Sequence, residues 1–314
     1  MYNREYQHLY AQWLKVATLR NRPHRVLDKD SARGAFFPIT HQPVALHSEL
    51  MSMGEDAMHF LLVQGSYKYM KDIMLTEIEV VSQYSLREWM RGAESDITPH
   101  LKAILMTIVI DEYYHAFIAQ DFIDQVSSHT GIEPTQHPGK VELQRAIAQA
   151  LDALPARLHN TFCLMAVCIA ENTLTREIVD YINEDEQLCL FFRSIISDHL
   201  RDEGRHCGIY ETILSELWII TGSSDQGLIA RLLPGFLKTY LGTYYQQQHD
   251  FAVLSQLGLS EPQCQRIVSD TWDDYRLTPE HGMLKNILAL FDRAGLLTSG
   301  VLSESLSQAD LYSI

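Results

Sequence analysis

No stretch of this 314-residue chain is apolar over the roughly 18 residues that a membrane-spanning helix needs. Basic charge is also scarce. Lys and Arg number 25 against 40 Asp and Glu, a formal charge of −15, which argues against nucleic acid or an anionic membrane as partner, since both reward a basic surface. The N-terminal "MYNREYQHLY" lacks the apolar core of a signal peptide. The five cysteines, Cys163, Cys168, Cys189, Cys207 and Cys264, form no CxxC pair. That scatter excludes a disulfide framework and a zinc–thiolate site, and fits reduced thiols in a cytoplasmic protein. No Pro/Ser/Gly-rich linker or charge block marks a boundary, so residues 1–314 read as one domain. No GxGxxG fingerprint is present, so no flavin or nicotinamide fold is expected.

Strand alternation is nearly absent as well, and helical periodicity fills its place. Thr98-Pro99 reads as an N-cap followed by proline at the first helical position, opening a helix over about 99–127. Further long helical patterns run over about 45–62, 64–90, 156–182, 186–221 and 228–256, with a shorter one near 280–295. Loop signals fall at Arg91-Gly92, at 127–140, at Pro155, at "TGSSDQG" (221–227) and at "GLSEPQ" (258–263).

Fourteen histidines are a compositional hint of metal. The sequence "DEYYH" at 111–115 is echoed by "DEGRH" at 202–206, so Glu112/His115 and Glu203/His206 each stand one helical turn apart. Glu-x-x-His alone is weak; a third copy, Glu5-x-x-His8, sits in the polar N-terminus and reads as chance. The neighbours separate them. At helical offsets around Glu112 stand Leu105, Ile108, Val109, Ala116 and Ala119; around Glu203 stand Ile196, Leu200, Cys207 and Tyr210. Glu77 lies among Met70, Ile73, Met74, Val80, Val81 and Tyr84, and Glu171 among Leu164, Val167, Cys168, Leu174 and Ile178.

Four helices thus each bring one glutamate to an apolar face. A buried carboxylate must be neutralised, hydrogen-bonded or bound to a cation. Those faces supply almost no Lys or Arg, Arg176 and Arg205 being offset from them. One Glu from each of two helices, with Glu-x-x-His from each of two others, is the ligand set of ferritin-like di-iron bundles. The order Glu77, Glu112 with His115, Glu171, Glu203 with His206 leaves room for two hairpins and one long crossover. Four carboxylates balance two Fe(II) ions, and oxygen ligands mixed with imidazole suit iron. Asp111 and Asp202 each precede a ligand glutamate and are candidate acceptors for the ligand imidazoles of the facing helix, with solvated surface acids the alternative. His199, one turn before Glu203, can reach the same iron as a seventh ligand.

This pattern resembles the di-iron N-oxygenases typified by AurF, the p-aminobenzoate N-oxygenase, and by the arylamine oxygenase of chloramphenicol biosynthesis. That family adds a histidine in H-x-x-x-E-x-x-H, here His199, Glu203 and His206, and Glu77, Glu112, His115 and Glu171 match the rest. The resemblance implies an all-α, ferritin-like four-helix bundle (core about 60–215) with additional N- and C-terminal helices, the C-terminal extension spanning about 222–314. It also implies two Fe ions, O2 as co-substrate, oxygenation of an amine nitrogen in secondary-metabolite biosynthesis, a homodimer and an external electron donor. The amine substrate does not carry over. Two other readings remain at this stage: a di-iron desaturase or C–H hydroxylase, and a ferritin- or rubrerythrin-like storage or peroxide-scavenging protein. The third histidine and the C-terminal extension favour the N-oxygenase.

Overall fold

The computed structural model describes residues 4–92, 95, 97–173, 185–298 and 300–312. Among them are no strands; one isolated bridge joins Ala35 to Leu188. The helices of eight or more residues are α1 (Arg4–Val16), α2 (Glu55–Thr76), α3 (Gln83–Met90), α4 (Pro99–Thr130), α5 (Glu142–Ala153), α6 (His159–Ala170), α7 (Leu190–Ile220), α8 (Ser223–Tyr240), α9 (Tyr244–Gln256), α10 (Glu261–Trp272), α11 (Gly282–Arg293) and α12 (Gly300–Gln308). No helix among the described residues is long and apolar enough to cross a membrane. All five cysteines are free, and only Cys207 is not fully buried.

Helix α4 starts where Thr98-Pro99 predicts and ends at Gly131, whose φ of 70° supplies the left-handed turn that closes a helix. Other boundaries differ from expectation. The predicted break near residue 63 is absent: the chain stays helical from Glu55 to Met90, passing through a π-helical turn at Glu77–Ser82. Gly65 lies inside it because a Cβ there would stand 2.9 Å from the Phe37 ring, so the glycine admits a close neighbour and breaks nothing. The predicted helix 228–256 is two, α8 and α9, parted at Leu241–Thr243. A Cβ on Gly242 would meet the Lys238 and Thr239 carbonyl oxygens at 3.1 Å, so the tight turn needs the glycine.

The loop expected at 258–263 is instead the start of α10, where Ser260 and Gln263 form a capping box around a proline in the first turn. Residues 223–227 are likewise helical. Helices α1, α5 and α12 were not expected. Of the helix expected over 156–182, α6 is the described part; residues 174–182, with Leu174, Arg176 and Ile178, lie outside the described residues.

Along the bundle, two apolar clusters leave a gap between them. One holds Val80 and Val81, Ile104, Leu105 and Ile108 of α4, and Ile209, Ile213 and Leu217 of α7, with α5, α8, α11 and α12 packed around. The other holds Tyr67 and Met70 of α2, Ala119, Phe122 and Ile123 of α4, and Phe191, Phe192, Ile195 and Ile196 of α7. Residues 77, 112–115 and 199–206 fall between these clusters on their respective helices. The polar layer therefore lies in the middle of the bundle, walled by hydrocarbon at both ends.

Candidate metal centre

Each glutamate reaches this layer for a local reason. Glu77 opens the π turn, whose wider ring lets Glu77, Val80, Val81 and Ser82 all be buried within six residues. Glu112 and His115 share a face in the middle of α4, as do His199, Glu203 and His206 on α7. Glu171 follows the last residue of α6. The end of that helix is pinned by Cys207 Sγ donating to the Glu171 carbonyl at 2.7 Å and by Asn172 Nδ2 donating to Cys168 O at 2.9 Å.

The seven side chains converge as two groups. In one, ligand atoms of Glu77, His115, His199 and Glu203 lie within 4.8 Å of one another; in the other, those of Glu112, Glu171, Glu203 and His206 do. His199 Nε2 is 2.9 Å from Glu77 Oε1 and 3.1 Å from Glu203 Oε1. His206 Nδ1 is 3.0 Å from Glu112 Oε1, 3.4 Å from Glu203 Oε1 and 3.5 Å from Glu171 Oε2. The two oxygens of Glu112 divide between the halves, Oε2 standing 3.2 Å from His115 Nδ1. Glu112 and Glu203 thus span both groups.

Four carboxylates and three imidazoles in an apolar interior set one another's charge. Burial opposes a charged His115, yet Asp202, Glu112 and Glu77 hold its pKa well above the ordinary value. His206 is raised in the same way, against burial, by Glu112, Glu203 and Asp111. For His199, burial and the neighbouring His115 are outweighed by Glu77 and Glu203, which push it up to about 9. Burial, then the charges of Glu203 and Glu112, drive Glu171 well above the carboxylate range. Glu203 is held well below it, because His206 and His199 outweigh burial.

The residues fit a pair of divalent cations. Glu77 Oε2, Glu112 Oε1, Glu171 Oε2 and His206 Nδ1 are buried without a hydrogen-bond partner. Glu112 Oε1 and His206 Nδ1 are close but misaligned for a hydrogen bond, as expected of atoms that aim at a common point instead of at each other. Among the described residues, no Lys or Arg pairs with any of the four glutamates.

Outside the cluster, the imidazoles of His115 and His206 each meet an aspartate of the opposite helix. His115 Nε2 lies 3.2 Å from Asp202 Oδ2, and His206 Nε2 lies 3.3 Å from Asp111 Oδ2. Asp202 in turn accepts from the Thr18 backbone N–H at 3.1 and 3.2 Å. Asp111 accepts from Trp13 Nε1 at 2.9 and 3.0 Å and from Arg205 Nη2. Arg205 Nη2 also approaches His206 Nε2 to 3.0 Å. Two cationic groups gain nothing from that contact, and the shared Asp111 carboxylate is what holds them together. Trp13, Thr18 and Arg205 were missed by spacing arguments. The stripe Leu9, Trp13, Ala17 could have revealed α1, but nothing in the sequence says which acid its indole would meet.

No curated protein matches the chain. The family described as "P-aminobenzoate N-oxygenase AurF" matches residues 27–295. The match spans the whole buried carboxylate–histidine cluster and stops short of α1 and its Trp13. With most of its length matched and a cluster compatible with two iron ions, the chain belongs to the AurF (p-aminobenzoate N-oxygenase) family of oxygenases.

Proposed function

We propose that the protein is a non-haem di-iron N-oxygenase that transfers oxygen from O2 to the nitrogen of a small amine, an arylamine or an amino-acid-like compound. The observation that carries this reading is the place of His199: a third imidazole inside the cluster, between Glu77 and Glu203, beyond the two histidines of a storage or desaturase site. Glu77, His115 and His199 would hold one iron, Glu171 and His206 the other, with Glu112 and Glu203 between them. When bound, an iron pair would supply electrons that reduce O2, and O2 itself would supply the oxygen atom that is transferred.

The chain's own residues position and shield. Asp202 and Asp111 fix the orientation of His115 and His206 and keep their outer nitrogens protonated, leaving Nδ1 free to donate its lone pair inward. Below the cluster, the Tyr210 hydroxyl is tied to Ser85 Oγ at 2.8 Å; burial and the charges of Glu171 and Glu112 hold it protonated far above neutral pH.

Two cavities approach the layer. One, about 30 Å³, touches His115 and His199, is walled by Met70, Ile73, Ala119 and Ile196 and has Thr18, Arg25 and Asp198 at its polar side; its size suits O2. The other, about 170 Å³, is lined by Phe37, Tyr69 and Phe192 with Gln42, Lys68 and Asp72 at its polar side. Tyr69 borders it and lies near enough to Glu77 and Glu203 that burial and their charges push its hydroxyl up to about 12. This cavity suits a compact amine carrying a second polar group.

The test is to load the protein with iron, reduce it chemically, add a panel of arylamines and amino acids under ¹⁸O2, and read products by mass spectrometry. Label on nitrogen is the expected result. Label on carbon, or O2 consumption with no organic product, would overturn it.

A further inference from the structure

The reaction proposed above consumes electrons, and the described residues show no flavin or nicotinamide fold to deliver them. Resting on that reading, we propose that Trp13, Asp111 and His206 form the route by which electrons enter the metal layer, and that the α1 surface around Trp13 receives an acidic one-electron donor of the iron–sulfur protein class.

The two aspartates of the layer are placed alike, each accepting from an imidazole of the opposite helix, but they end differently. Asp202 ends on a backbone amide, which suffices for orientation. Asp111 ends on an indole, from a helix outside the residues matched to the family. That indole is 7% exposed, stacks at 5.9 Å on Tyr10, which is 39% exposed, and carries Arg20 over its ring at 5.7 Å. An unbroken series of aromatic and hydrogen-bonded contacts therefore runs from the surface to His206, whose Nδ1 faces Glu112, Glu171 and Glu203. Such contacts give tunnelling electrons a shorter effective path than gaps through space.

The surface at its outer end is unlike the rest of the molecule. Between residues 15 and 25 stand Lys15, Arg20, Arg22 and Arg25 with no Asp or Glu, on a chain whose formal charge is −15. Arg22 and Arg25 are engaged with Asp198 at 3.5 and 2.6 Å; Arg20 is exposed and lies over the Trp13 ring, and Lys15 is exposed on the same helix as Trp13. A local basic patch on an acidic protein steers an acidic partner to that spot.

The redox balance is simple. Each passage moves one electron from the reduced iron–sulfur cluster to one Fe(III), giving Fe(II) and the oxidised cluster. Two passages make the pair diferrous, no bond is made or broken, and Trp13 is returned unchanged.

The experiment measures reduction of the diferric protein anaerobically, by loss of its near-ultraviolet absorption, with a reduced acidic ferredoxin or with reduced methyl viologen. Trp13→Phe removes the N–H and the indole; Trp13→Gln keeps an N–H donor for Asp111 without the ring. Both should retain iron yet accept electrons from ferredoxin several-fold more slowly than the parent does. Full recovery in Trp13→Gln, or parent rates in Trp13→Phe, would reduce Trp13 to a structural role and overturn the proposal.

Arg20→Glu, exposed and outside the hydrogen-bonded series, covers the case in which the indole variants do not fold. It should slow reduction by ferredoxin, leave reduction by methyl viologen unchanged, and weaken ferredoxin binding to the iron-free chain in calorimetry. Unchanged binding and unchanged ferredoxin rate sink the docking surface. A parent that makes N-oxygenated product while these variants reduce normally fails this inference alone; a parent that makes none fails the function itself.

Discussion

His199 is the residue on which the functional reading turns. It adds a neutral donor without changing the balance of four carboxylates against two Fe(II), so His199→Ala should still collect iron. Its loss frees Glu77 Oε1 and Glu203 Oε1 from their contacts at 2.9 and 3.1 Å. We expect iron content near the parent's with N-oxygenated product down about 10–100-fold, the range seen when a metal site loses one outer support or ligand. Product per iron equal to the parent's would make His199 a packing residue.

A second residue-scale test lies outside the carboxylate–histidine cluster, at two buried neighbours on α9. Burial, with Lys68 and His137 adding to it, lowers His249 to about 4, while burial raises Asp250 to about 6 against hydrogen bonds from Trp272 and Gln246. Folded His249 binds fewer protons than the unfolded chain between about 4 and 6.5, so it costs stability as pH falls through that window; folded Asp250 binds more, and gains. The two largely cancel. His249→Phe should unmask Asp250, so that acidification from pH 7 to 4 favours the variant over the parent by about 2–3 kcal/mol in denaturant titrations. Parallel pH profiles for the two proteins would refute this.

Among the elements, the π turn at Glu77–Ser82 carries the most consequence. It inserts one residue into a helix that would otherwise be regular, and so lets Glu77 face the metal layer while Val80 and Val81, 1% and 0% exposed, face the apolar cluster beneath. Deleting Glu79 should restore a regular helix and turn one of these two sets by about 100°. If Glu77 turns out, the first group of ligands loses its carboxylate; if the valines do, the core opens. Either outcome predicts iron below two per chain, read by metal analysis, together with a lowered melting temperature. Full loading at the parent's stability would show the π turn to be dispensable. The turn was not legible in the sequence, because residues 64–90 read as unbroken helical periodicity. The stripe Leu9, Trp13, Ala17 marks α1 in the sequence but does not show that its indole reaches the layer. The α10 capping box was legible in "SEPQ", but the proline and preceding glycine made it read as a loop.

At the scale of the whole molecule, the layer couples metal binding to stability. In the metal-free protein, protons on the histidines offset the carboxylates. Because His199 is raised to about 9, its contribution is fully present below pH 6.5 and is lost as pH rises through 9. Metal-free protein should therefore become less stable over that interval. Iron takes over the protons' role, so loading at pH 7 should release protons in weak buffer, and a hundred-fold excess over the dissociation constant should stabilise by about 2.7 kcal/mol. A flat metal-free profile and proton-neutral loading would contradict this account of the cluster.

The sequence by itself determined the helical class and the identity of the buried acids, because glutamates repeated on apolar helix faces with almost no Lys or Arg beside them are the pattern of a site compatible with metal. It determined that His199, Glu203 and His206 lie on one face, because helical spacing is local. Which imidazole meets which aspartate, how Glu112 and Glu203 span both groups, and that Trp13 and Arg205 converge on Asp111 were decided only by tertiary structure. Those contacts join residues from far-apart helices whose relative rotation depends on core packing and on one π turn, and neither leaves a period in the sequence.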